Sequence, residues 1–392
     1  MQTPMNMEYQ NTAARVVQRP GAIDDLGREV AALGCTRVLV VCGGSTRRSA
    51  LYERANKSLG NLVVGLFEKV VEHSSTVLVT EAAGIARDLR IDGIVAIGGG
   101  SASDTAKGIA ILLAEGGQIE EHASRFVPPD QFFPKHLPSP KIPVIAVPTT
   151  ASAAEVTPGL GLRDQQGRKL LFWDVKLASR LIVLDPQANC SVPVAVMASS
   201  AMNGFAHCVE GLYSRLRNQV SEGLALQGIR LFGRWLPEMV RAPDSVDARA
   251  GVLMAAHLSG MVISNARVGI HHAVCHCLGA RGNLPHGVAN SIMLPHALAY
   301  NLDHATPALA LMAQAIGCEA RGNDRDMALA GIEAVRALQI AARVPVRLRD
   351  TGLDKALLPA IAADTLLDRG NFFNPRRTET DAPILSLLEK AW

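Results

Sequence analysis

Short apolar runs alternate with helical patterns through the first half of the chain. Buried-strand character appears in six runs, at residues 14–17, 37–42, 62–67, 91–97, 142–147 and 181–184. Between them, apolar residues recur at helical spacing over residues 22–33, 77–89 and 103–113. Strands without a polar face that alternate with helices are typical of a mostly parallel sheet covered on both sides. The pattern predicts an α/β domain of the dinucleotide-binding, Rossmann-like type.

The pattern changes beyond Pro193. Long helical stretches rich in Ala, Leu and Met follow and continue to Trp392, with few β-branched runs. We therefore predict two domains, an α/β nucleotide-binding domain over residues 1–187 and an all-helical catalytic domain over residues 188–392. No internal repeat or low-complexity segment interrupts either part.

Composition excludes several classes of protein. Hydrophobic residues make up 48% of the 392 residues and charged ones 19%, which is enough apolar surface for a sizeable core. The net charge of +3 comes without a long basic run, which argues against nucleic-acid binding. The N-terminus lacks an apolar leader pattern, and no eighteen consecutive apolar residues predict a membrane span. The seven cysteines are odd in number and scattered, which favours reduced thiols in a cytoplasmic enzyme.

A glycine-rich turn follows the third central strand and leads into a helix: Gly98, Gly99, Gly100 and Ser101. Glycines at such a turn let a ligand approach the backbone, and the free N–H groups at the helix start suit a phosphate. A tight turn without a ligand is the alternative. The spacing matches neither GxGxxG nor a Walker A loop, so neither fingerprint is claimed.

Other polar residues fall near the same sheet edge. Asp104 and Lys107 lie on the first turns of the helix. Asp104 would be a favourable acid in the first turn, and the Lys107 side chain either is solvated or reaches the phosphates. Thr149 and Thr150 end the next strand, and ligands of open α/β sheets bind at the carboxyl ends of strands. A nucleotide lying across Gly99, Gly100 and Thr149 is therefore geometrically reasonable.

The segment after the first central strand bears on the choice of cofactor. It reads Gly43, Gly44, Ser45, Thr46, Arg47 and Arg48. It has no acidic residue to bind a ribose 2′-hydroxyl, and its hydroxyls and arginines suit a 2′-phosphate. We favour NADPH as the cofactor, and NADH stays an open alternative. The two arginines could also simply be solvated.

Four of the eleven histidines fall within residues 269–290: His271, His272, His276 and His286. On a helix His272 and His276 are i and i+4 and share a face. Clustered imidazoles form either a metal site or a proton-transfer site. Cys275 and Cys277 point about 200° apart on a helix, so the two sulfurs are poor joint ligands of one ion.

A second pair completes a possible ligand set. Asn203 and His207 are also i and i+4, and together with His272 and His286 they make four candidate metal ligands from three segments. The fourth member is an amide rather than a carboxylate. A divalent ion such as Fe²⁺ or Zn²⁺ should therefore bind weakly or not at all.

Four motifs resemble the iron-containing (group III) alcohol dehydrogenases, in order and over nearly the whole chain. They are GGGSASDTAK, VPTTASAAEVT, MNGFAHCVEGLYS and GIHHAVCHCLGARGNLPHGVANSIMLPHALAYN. Within this superfamily the chain is similar to the maleylacetate reductases. The marks of that likeness are Asn203 where metal-dependent members usually carry Asp, the HHxxCH run at 271–276, Glu210–Tyr213, and the tail Asn374–Arg376.

The resemblance implies a cytoplasmic, dimeric NAD(P)H-dependent enzyme with its active site in a cleft between the two domains. It places the turn from Gly98 to Ser101, with Asp104, around the pyrophosphate and nicotinamide side of the cofactor. Thr149 and Thr150 would lie near the phosphates and adenosine. It makes residues 203, 207, 272 and 286 the counterparts of the metal ligands, and His276 the histidine beside the nicotinamide. Gly43, Ser45 and Lys169 complete the predicted cofactor contacts.

Maleylacetate reductase chemistry, in the breakdown of aromatic compounds, would reduce maleylacetate to 3-oxoadipate. We expect His207, His272 and His286 to stabilise the developing negative charge and His276 to donate a proton. Arg281 and Lys169 are candidate partners for the substrate carboxylates.

Three other readings stay open. The main alternative is a metal-dependent alcohol dehydrogenase that acts on a small alcohol or aldehyde. Asp104 and the HGVAN segment after Pro285 are similar to the corresponding segments of those enzymes. A dehydroquinate-synthase-like lyase and a non-catalytic binding protein are the more distant ones.

Overall fold

This computed structural model describes residues 7, 9–12, 14–127 and 131–392 of the chain. The chain divides into two compact units. One contains Asn11–Arg125 and Phe132–Pro193, and the other consists mainly of Val194–Trp392. The main division falls between Pro193 and Val194, whereas the sequence analysis predicted the domain boundary at residue 187.

The first unit is built on a parallel sheet. The strands of the described chain are β1 (Arg15–Gln18), β2 (Val38–Cys42), β3 (Val63–Phe67), β4 (Gly93–Gly98), β5 (Arg125–Val127), β6 (Gln131–Phe133), β7 (Val144–Pro148), β8 (Gly159–Arg163), β9 (Lys169–Trp173) and β10 (Leu181–Leu184). Six of them form one sheet in the order β1-β10-β7-β4-β2-β3, and every pair in it is parallel. The predicted mostly parallel α/β sheet is confirmed.

Helices cover both faces of this sheet. The helices of this unit are α1 (Leu26–Ala32), α2 (Gly44–Arg47), α3 (Ala50–Leu59), α4 (Thr76–Asp88), α5 (Gly100–Glu115) and α6 (Pro186–Asn189). In β2, Leu39 and Val41 join the core beneath α4 and α5, whereas Val38 and Val40 join the core beneath α1 and α3. Because successive residues of a strand face opposite sides, both sides must be apolar, as the sequence pattern requires.

Helix α3 and the hairpin of β8 and β9 are among the elements that the sequence analysis did not assign. Helix α3 begins at the Ser49 cap, whose hydroxyl accepts from the Tyr52 N–H, and it buries Leu51, Tyr52, Ala55 and Leu59. Strands β8 and β9 form an antiparallel hairpin outside the main sheet. The short apolar spacing of α3 and the glycines of β8 lack the continuous apolar runs that made the sheet strands recognisable.

Three turns leave the carboxyl edge of the sheet side by side. Strands β2, β4 and β7 are neighbours, and the register sets Cys42 beside Ile97 and Gly98 beside Pro148. The segments that follow these strands therefore start from adjacent positions. They are the segments beginning at Gly43, Gly99 and Thr149, of which the last two were predicted to lie together at this edge.

The second unit is helical. Its helices are α7 (Val194–Tyr213), α8 (Gln219–Arg241), α9 (Val246–Ala266), α10 (Ile270–Gly282), α11 (His286–Ile316), α12 (Asp324–Ala341), α13 (Leu358–Leu366), α14 (Arg369–Phe373) and α15 (Ala382–Lys390). Helix α11 is interrupted at Ala305, two residues before Pro307. The predicted helical C-terminal part is confirmed.

Helix α9 bears on the expectation that the chain has no membrane span. In the part of the chain that the structure describes, α9 alone is long and apolar enough to cross a membrane, with a mean hydropathy of 1.3. Half of that stretch is buried, and α9 packs against α7 and α8. A mostly apolar helix of this kind is also what the core of a helical domain requires.

Candidate active site

One face of helix α7 carries three buried polar side chains. Asn203, His207 and Glu210 follow one another at i, i+4 and i+7, so they form a row along the helix. Glu210 is the single charged residue in the sequence of α7. The row is therefore a polar strip inside an otherwise apolar helix.

Helices α10 and α11 bring three imidazoles to this row. The His272 ring stacks on the His207 ring, with centroids 4.7 Å apart and planes inclined by 21°. The His286 ring lies 5.8 Å from the His272 ring, and the His276 ring stacks on the His286 ring at 5.8 Å and 10°. The structure thus brings together the histidines predicted for the site, which we call the histidine cluster: His207, His272, His276 and His286.

His272 lies at the centre of this cluster. Its Nδ1 hydrogen-bonds to the Glu210 carboxylate, and its Nε2 lies 3.0 Å from Asn203 Oδ1. Glu210 also accepts from the backbone N–H groups of Gly269 at 2.9 Å and His271 at 3.1 Å. The start of α10 is therefore fixed to α7 by one carboxylate, and the orientation of the His272 ring follows from it.

Burial sets the charges in this cluster. It lowers the pKa of His272 to about 4, although the Glu210 carboxylate favours the charged ring. It also lowers the pKa of His207 well below its usual value. Burial alone would raise the pKa of Glu210, but the His272 and His271 contacts hold that pKa below its ordinary value. At neutral pH, Glu210 is anionic and both rings are neutral.

His276 has a carboxylate of its own. Its Nδ1 donates to Asp368 Oδ2 at 2.9 Å, and the other oxygen of Asp368 accepts from the Gly370 N–H at 2.8 Å. The His276 side chain is 25% exposed, whereas that of His272 is 3% exposed. His276 is thus the more solvent-accessible of these two rings. That position suits proton exchange with water.

His271 and the tail motif have structural contacts. His271 is fully buried, and its Nε2 donates to the Asn290 carbonyl at 2.9 Å, which joins α10 to α11. Asn374 Oδ1 accepts from the Ile270 N–H at 3.2 Å. Both residues therefore hold the first turn of α10 in place.

The cysteines of α10 have separate neighbours. Cys275 is buried with its Sγ 3.8 Å from His271 Nε2, and burial raises the pKa of the Cys277 thiol to about 12. Protonated thiols on different sides of a helix make poor metal ligands. The structure agrees with the expectation that they do not hold one ion together.

The rings of the candidate metal ligands are oriented suitably for an ion, but the ligand set lacks the negative charge that an ion requires. His207 Nδ1 lies 3.4 Å from Ser259 Oγ and His272 Nδ1 bonds Glu210, so Nε2 is the nitrogen of each ring that would bind an ion; that of His272 lies 3.0 Å from Asn203 Oδ1. Asn203 adds an amide, so the set as described contains no anionic ligand. A divalent ion therefore finds correctly turned rings but no compensating negative charge among its direct ligands.

Another group meets a simple distance criterion for metal ligands among the described residues. Ligand atoms of Glu210, His271 and His272 lie within 4.8 Å of one another. The Glu210 carboxylate is already hydrogen-bonded directly to His272 and to two backbone N–H groups. We therefore regard Glu210 as the residue that orients the His272 ring.

The glycine-rich turn in the α/β unit has the features of a phosphate site. Gly98 has a φ of +153°, and Gly99 caps α5 without any side-chain hydrogen bond. A Cβ on Gly99 would lie 3.1 Å from the Thr150 side chain, so the turn is closely packed. Thr150 Oγ1 and Ser152 Oγ are buried and have no hydrogen-bond partner among the described residues. These hydroxyls and the first N–H groups of α5 fit the phosphates of a dinucleotide.

The structure corrects the interpretation of Lys107. Its side chain is fully buried, and its Nζ donates to the carbonyls of Ala154, Thr157 and Gly159 at 2.5, 2.7 and 2.9 Å. Lys107 is therefore neither solvated nor turned toward the phosphate turn. Lys107 stabilises the loop that leads into β8.

Asp104 and Lys169 lie near the same hairpin. Asp104 accepts from the Gly161 N–H at 3.2 Å, and burial raises its pKa while Lys107 and Lys169 act against that rise. A Cβ on Gly161 would lie 2.8 Å from Lys169 Cε. The cofactor contacts expected of Asp104, Lys169 and Ser101 stay predictions.

The segment after β2 lines an open cavity of about 710 Å³. Its walls include Gly44, Arg47, Arg48, Glu68 and Lys69. Arg47 lies 3.5 Å from Glu68, and its guanidinium lies 4.5 Å from the centre of the Tyr52 ring. Glu53 also lines the cavity, so three cations and two carboxylates surround it, and a 2′-phosphate would have to compete with these carboxylates for the arginines. The preference for NADPH stays a prediction.

Arg281 was predicted as a possible partner of a substrate carboxylate, but the structure shows it in a surface ion pair. Its guanidinium pairs with Asp364 on an exposed part of α10 and α13. This surface ion pair is the plainer alternative to substrate binding.

Comparisons with known proteins agree with this fold and site. Residues 13–186 match the model of the iron-containing alcohol dehydrogenases, and residues 197–392 match that of the Fe-containing alcohol dehydrogenase family, C-terminal. The chain belongs to the iron-containing alcohol dehydrogenase family, and it is an NAD(P)-dependent oxidoreductase.

Individual relatives and solved structures show which members of this family the chain is similar to. The chain is 34% identical to a maleylacetate reductase of Burkholderia cepacia, over 96% of this chain and 95% of that one. It is 31% identical to a maleylacetate reductase of Pseudomonas sp. strain P51, over 99% and 98%. Among solved structures, it resembles a 1,3-propanediol oxidoreductase with a TM-score of 0.92 at 29% identity, covering 99% of this chain and 100% of that one. It resembles the maleylacetate reductase of Agrobacterium tumefaciens with a TM-score of 0.83 at 27% identity, covering 99% of both.

Proposed function

We propose that this protein is a maleylacetate reductase-like enzyme that reduces maleylacetate to 3-oxoadipate with NADH or NADPH during the breakdown of aromatic compounds. The observation that carries the proposal is the Asn203 amide beside His207 and His272, in a set without a direct anionic ligand. The maleylacetate reductases among its relatives support the choice of substrate. We place the enzyme in the cytoplasm, as a homodimer.

The histidine cluster supplies charge stabilisation for such a reaction. The reduced nicotinamide, when bound, supplies a hydride to the carbon–carbon double bond conjugated with the ketone. Negative charge then develops on the ketone oxygen as an enolate, and hydrogen-bond donors aimed at that oxygen lower the barrier. In this proposal Glu210 holds the His272 ring through Nδ1, and the Asn203 side chain, which lies beside Nε2, adds the hydrogen-bond donors of its amide group.

His276 is the proton donor in this proposal. The enolate must take a proton on carbon for the product to form, and the proton must come from a positioned acid. Asp368 stabilises the protonated His276 ring through Nδ1, so the proton that is transferred comes from Nε2. After the transfer, the exposed edge of the ring can regain a proton from water.

A metal ion has a defined place in the rival function. Asn203, His207, His272 and His286 would hold it, and it would polarise the carbonyl of a small aldehyde or stabilise an alkoxide. The orientation of the two Nε2 atoms favours this alternative. The neutral amide at 203 disfavours it.

A substrate comparison tests the proposal. The purified protein should oxidise NADH or NADPH with maleylacetate, at a kcat/KM at least about a hundredfold above that for small aldehydes. This expectation rests on a site built for enolate stabilisation rather than for a metal alkoxide. Rates should be followed at 340 nm with both cofactors, and short alcohols should be offered with NAD⁺ and NADP⁺. Faster turnover of alcohols or aldehydes would favour the metal-dependent dehydrogenase.

A further inference from the structure

The first turn of α10 is capped by two side chains from distant parts of the chain. Gly269 begins the helix and has no side chain to bond its free N–H groups. Glu210 Oε1 accepts from the N–H groups of Gly269 and His271, at 2.9 and 3.1 Å. Asn374 Oδ1 accepts from the Ile270 N–H between them, at 3.2 Å. The turn is therefore fixed to α7 by Glu210 and to the C-terminal segment by Asn374.

These two side chains also pack directly on the backbone of α10. A Cβ on Gly269 would lie 2.8 Å from Asn374 Oδ1 and 3.0 Å from Glu210 Oε1. The Tyr213 ring lies 3.4 Å from the same point, and its hydroxyl donates to Glu210 Oε1 at 3.4 Å. Contacts this short leave no room for a Cβ atom, so glycine alone allows the approach. The position of the turn therefore depends on where these side chains lie.

A second asparagine holds Asn374 in place. Asn301 of α11 donates from Nδ2 to Asn374 Oδ1 at 2.9 Å, and Asn374 Nδ2 donates to Asn301 Oδ1 at 2.8 Å. Both residues are fully buried. Asn374 Oδ1 also accepts from Ile270, and Asn374 Nδ2 also donates to the Arg376 carbonyl at 2.8 Å. These bonds use both donors and both acceptor positions of the Asn374 amide, so its orientation is fixed.

The tail that carries Asn374 also contacts the preceding residue of α11. The Arg376 guanidinium lies 4.1 Å from the centre of the Tyr300 ring and donates to the Tyr300 carbonyl at 3.1 Å. The Tyr300 hydroxyl in turn bonds the Thr378 hydroxyl. The tail motif Asn374–Arg376 thus binds two successive residues of α11. We call the four residues Tyr300, Asn301, Asn374 and Arg376 the tail clamp.

We propose that Asn301, Asn374 and Arg376 are positioning residues of the enzyme. They set the place of the His272 ring through the first turn of α10. His272 lies on this turn, and its Nδ1 bonds the same Glu210 carboxylate that accepts from the turn. The tail motif therefore acts on the site through α10.

A displaced turn would change the geometry of the histidine cluster. The His272 ring stacks on the His207 ring of α7 with centroids 4.7 Å apart, and its Nε2 lies 3.0 Å from Asn203 Oδ1. A misplacement of about 1 Å in an active site can lower a rate about a hundredfold. The proposal concerns the place of His272, so it applies equally to the reduction of maleylacetate and to a metal-dependent dehydrogenase.

Asn301→Ala tests the tail clamp because it releases Asn374 without leaving it unpaired. Asn374 Oδ1 keeps the Ile270 N–H and Asn374 Nδ2 keeps the Arg376 carbonyl, so the fold should be retained. We expect kcat to fall at least about tenfold, for the substrate that the wild type turns over fastest, and KM to change less than about threefold. Asn301→Asp still accepts from Asn374 and should recover part of kcat. Steady-state kinetics with saturating cofactor measures both constants.

Matched variants separate positioning from stability. Asn323→Ala removes the asparagine that caps α12, so it should lower the melting temperature but leave kcat within about twofold of the wild type. Arg376→Met opens the clamp at its other end and leaves the buried amide pair intact. It should lower kcat at least about threefold, whereas Arg377→Met, at the exposed next residue, should leave kcat within about twofold.

Proton NMR reports on the His272 ring without any turnover. The imidazole N–H that bonds Glu210 should give a resonance downfield of the backbone amides, and its absence in Glu210→Gln assigns it. The resonance should move or broaden in Asn301→Ala, because the ring is no longer held in one place. It should stay in place in Asn323→Ala.

The proposal is overturned if Asn301→Ala and Arg376→Met both keep kcat within about twofold of the wild type, or if the imidazole resonance is unchanged in Asn301→Ala. A loss of kcat in Asn323→Ala as large as in Asn301→Ala would also overturn it, because the effect would then be one of stability. Arg376→Met decides if Asn301→Ala fails to fold. If the wild type reduces no maleylacetate but the resonance responds as expected, the clamp stands and only the proposed reaction fails.

Discussion

Glu210→Ala should lower the free energy of unfolding of the helical unit by about 3 kcal/mol, because it leaves buried donors without their acceptor. The carboxylate is fully buried and accepts from the N–H groups of Gly269 and His271 and from the His272 ring. Alanine cannot replace any of these bonds. The His272 ring would also lose its fixed orientation, so reductase activity should fall with stability. Urea unfolding followed by circular dichroism measures the first effect.

Glu210→Gln separates the charge from the shape. Its amide oxygen can still accept from the two backbone N–H groups, so most of the stability should return. The amide nitrogen would then take the place of the oxygen that faces His272 Nδ1, so the contact that orients this ring is the one that is lost. A Glu210→Ala variant whose free energy of unfolding stays within about 0.5 kcal/mol of the wild type would show that this carboxylate does not fasten α10 to α7.

His276→Gln should lower kcat for maleylacetate by a factor on the order of 10²–10⁴ and change KM little, as expected for loss of a positioned proton donor. Asp368→Asn should give a smaller loss, on the order of tenfold, because the ring keeps a hydrogen bond but loses the charge that stabilises its protonated form. Steady-state kinetics with saturating NADPH gives both values. The amide at 368 can still cap α14, so the fold should be retained.

Two variants serve as controls for this prediction. His296→Gln changes a histidine of α11 outside the histidine cluster, and Asp364→Asn removes a carboxylate that pairs with Arg281 at the surface. Neither should change kcat by more than about twofold. Equal losses in His276→Gln and His296→Gln would mean that the effect is one of folding, and His276 would then have no part in the proton transfer.

The centre of the sheet could be predicted from the sequence because β2, β4, β7 and β10 are buried on both faces. Each appears as a mostly apolar run, and the turns that follow these strands lie at one edge because the strands are parallel. Helix α3 and the hairpin of β8 and β9 have no such signal. Gly159 and Gly161 interrupt the apolar pattern of β8, and the hairpin is completed only by the pairing of Gly159 with Trp173 through Arg163 with Lys169.

The histidine cluster was also predictable, because helical spacing alone sets Asn203 beside His207 and His272 beside His276. The partners that orient the rings were harder to find. Glu210 had one available signal, as the only charge in an apolar helix, three residues after His207. Asp368 lies 92 positions from His276, and only folding brings the two together.

The lysines and arginines show the limit most clearly. Lys107 has the sequence position of a phosphate ligand, yet its ammonium group is enclosed by three carbonyl oxygens. Arg281 lies on the histidine-bearing helix but turns to a surface carboxylate. A charged side chain is long and flexible, so its position in the sequence does not determine what it reaches.

Metal dependence tests the central claim that this cluster stabilises an enolate through its own imidazoles. The enzyme should be dialysed against a strong chelator, its metal content determined, and maleylacetate reduction measured on the same sample. Because Asn203 supplies no negative charge to an ion, we expect most of the activity to remain with well under one metal equivalent per chain. Complete loss of activity that Fe²⁺ or Zn²⁺ restores would contradict this account.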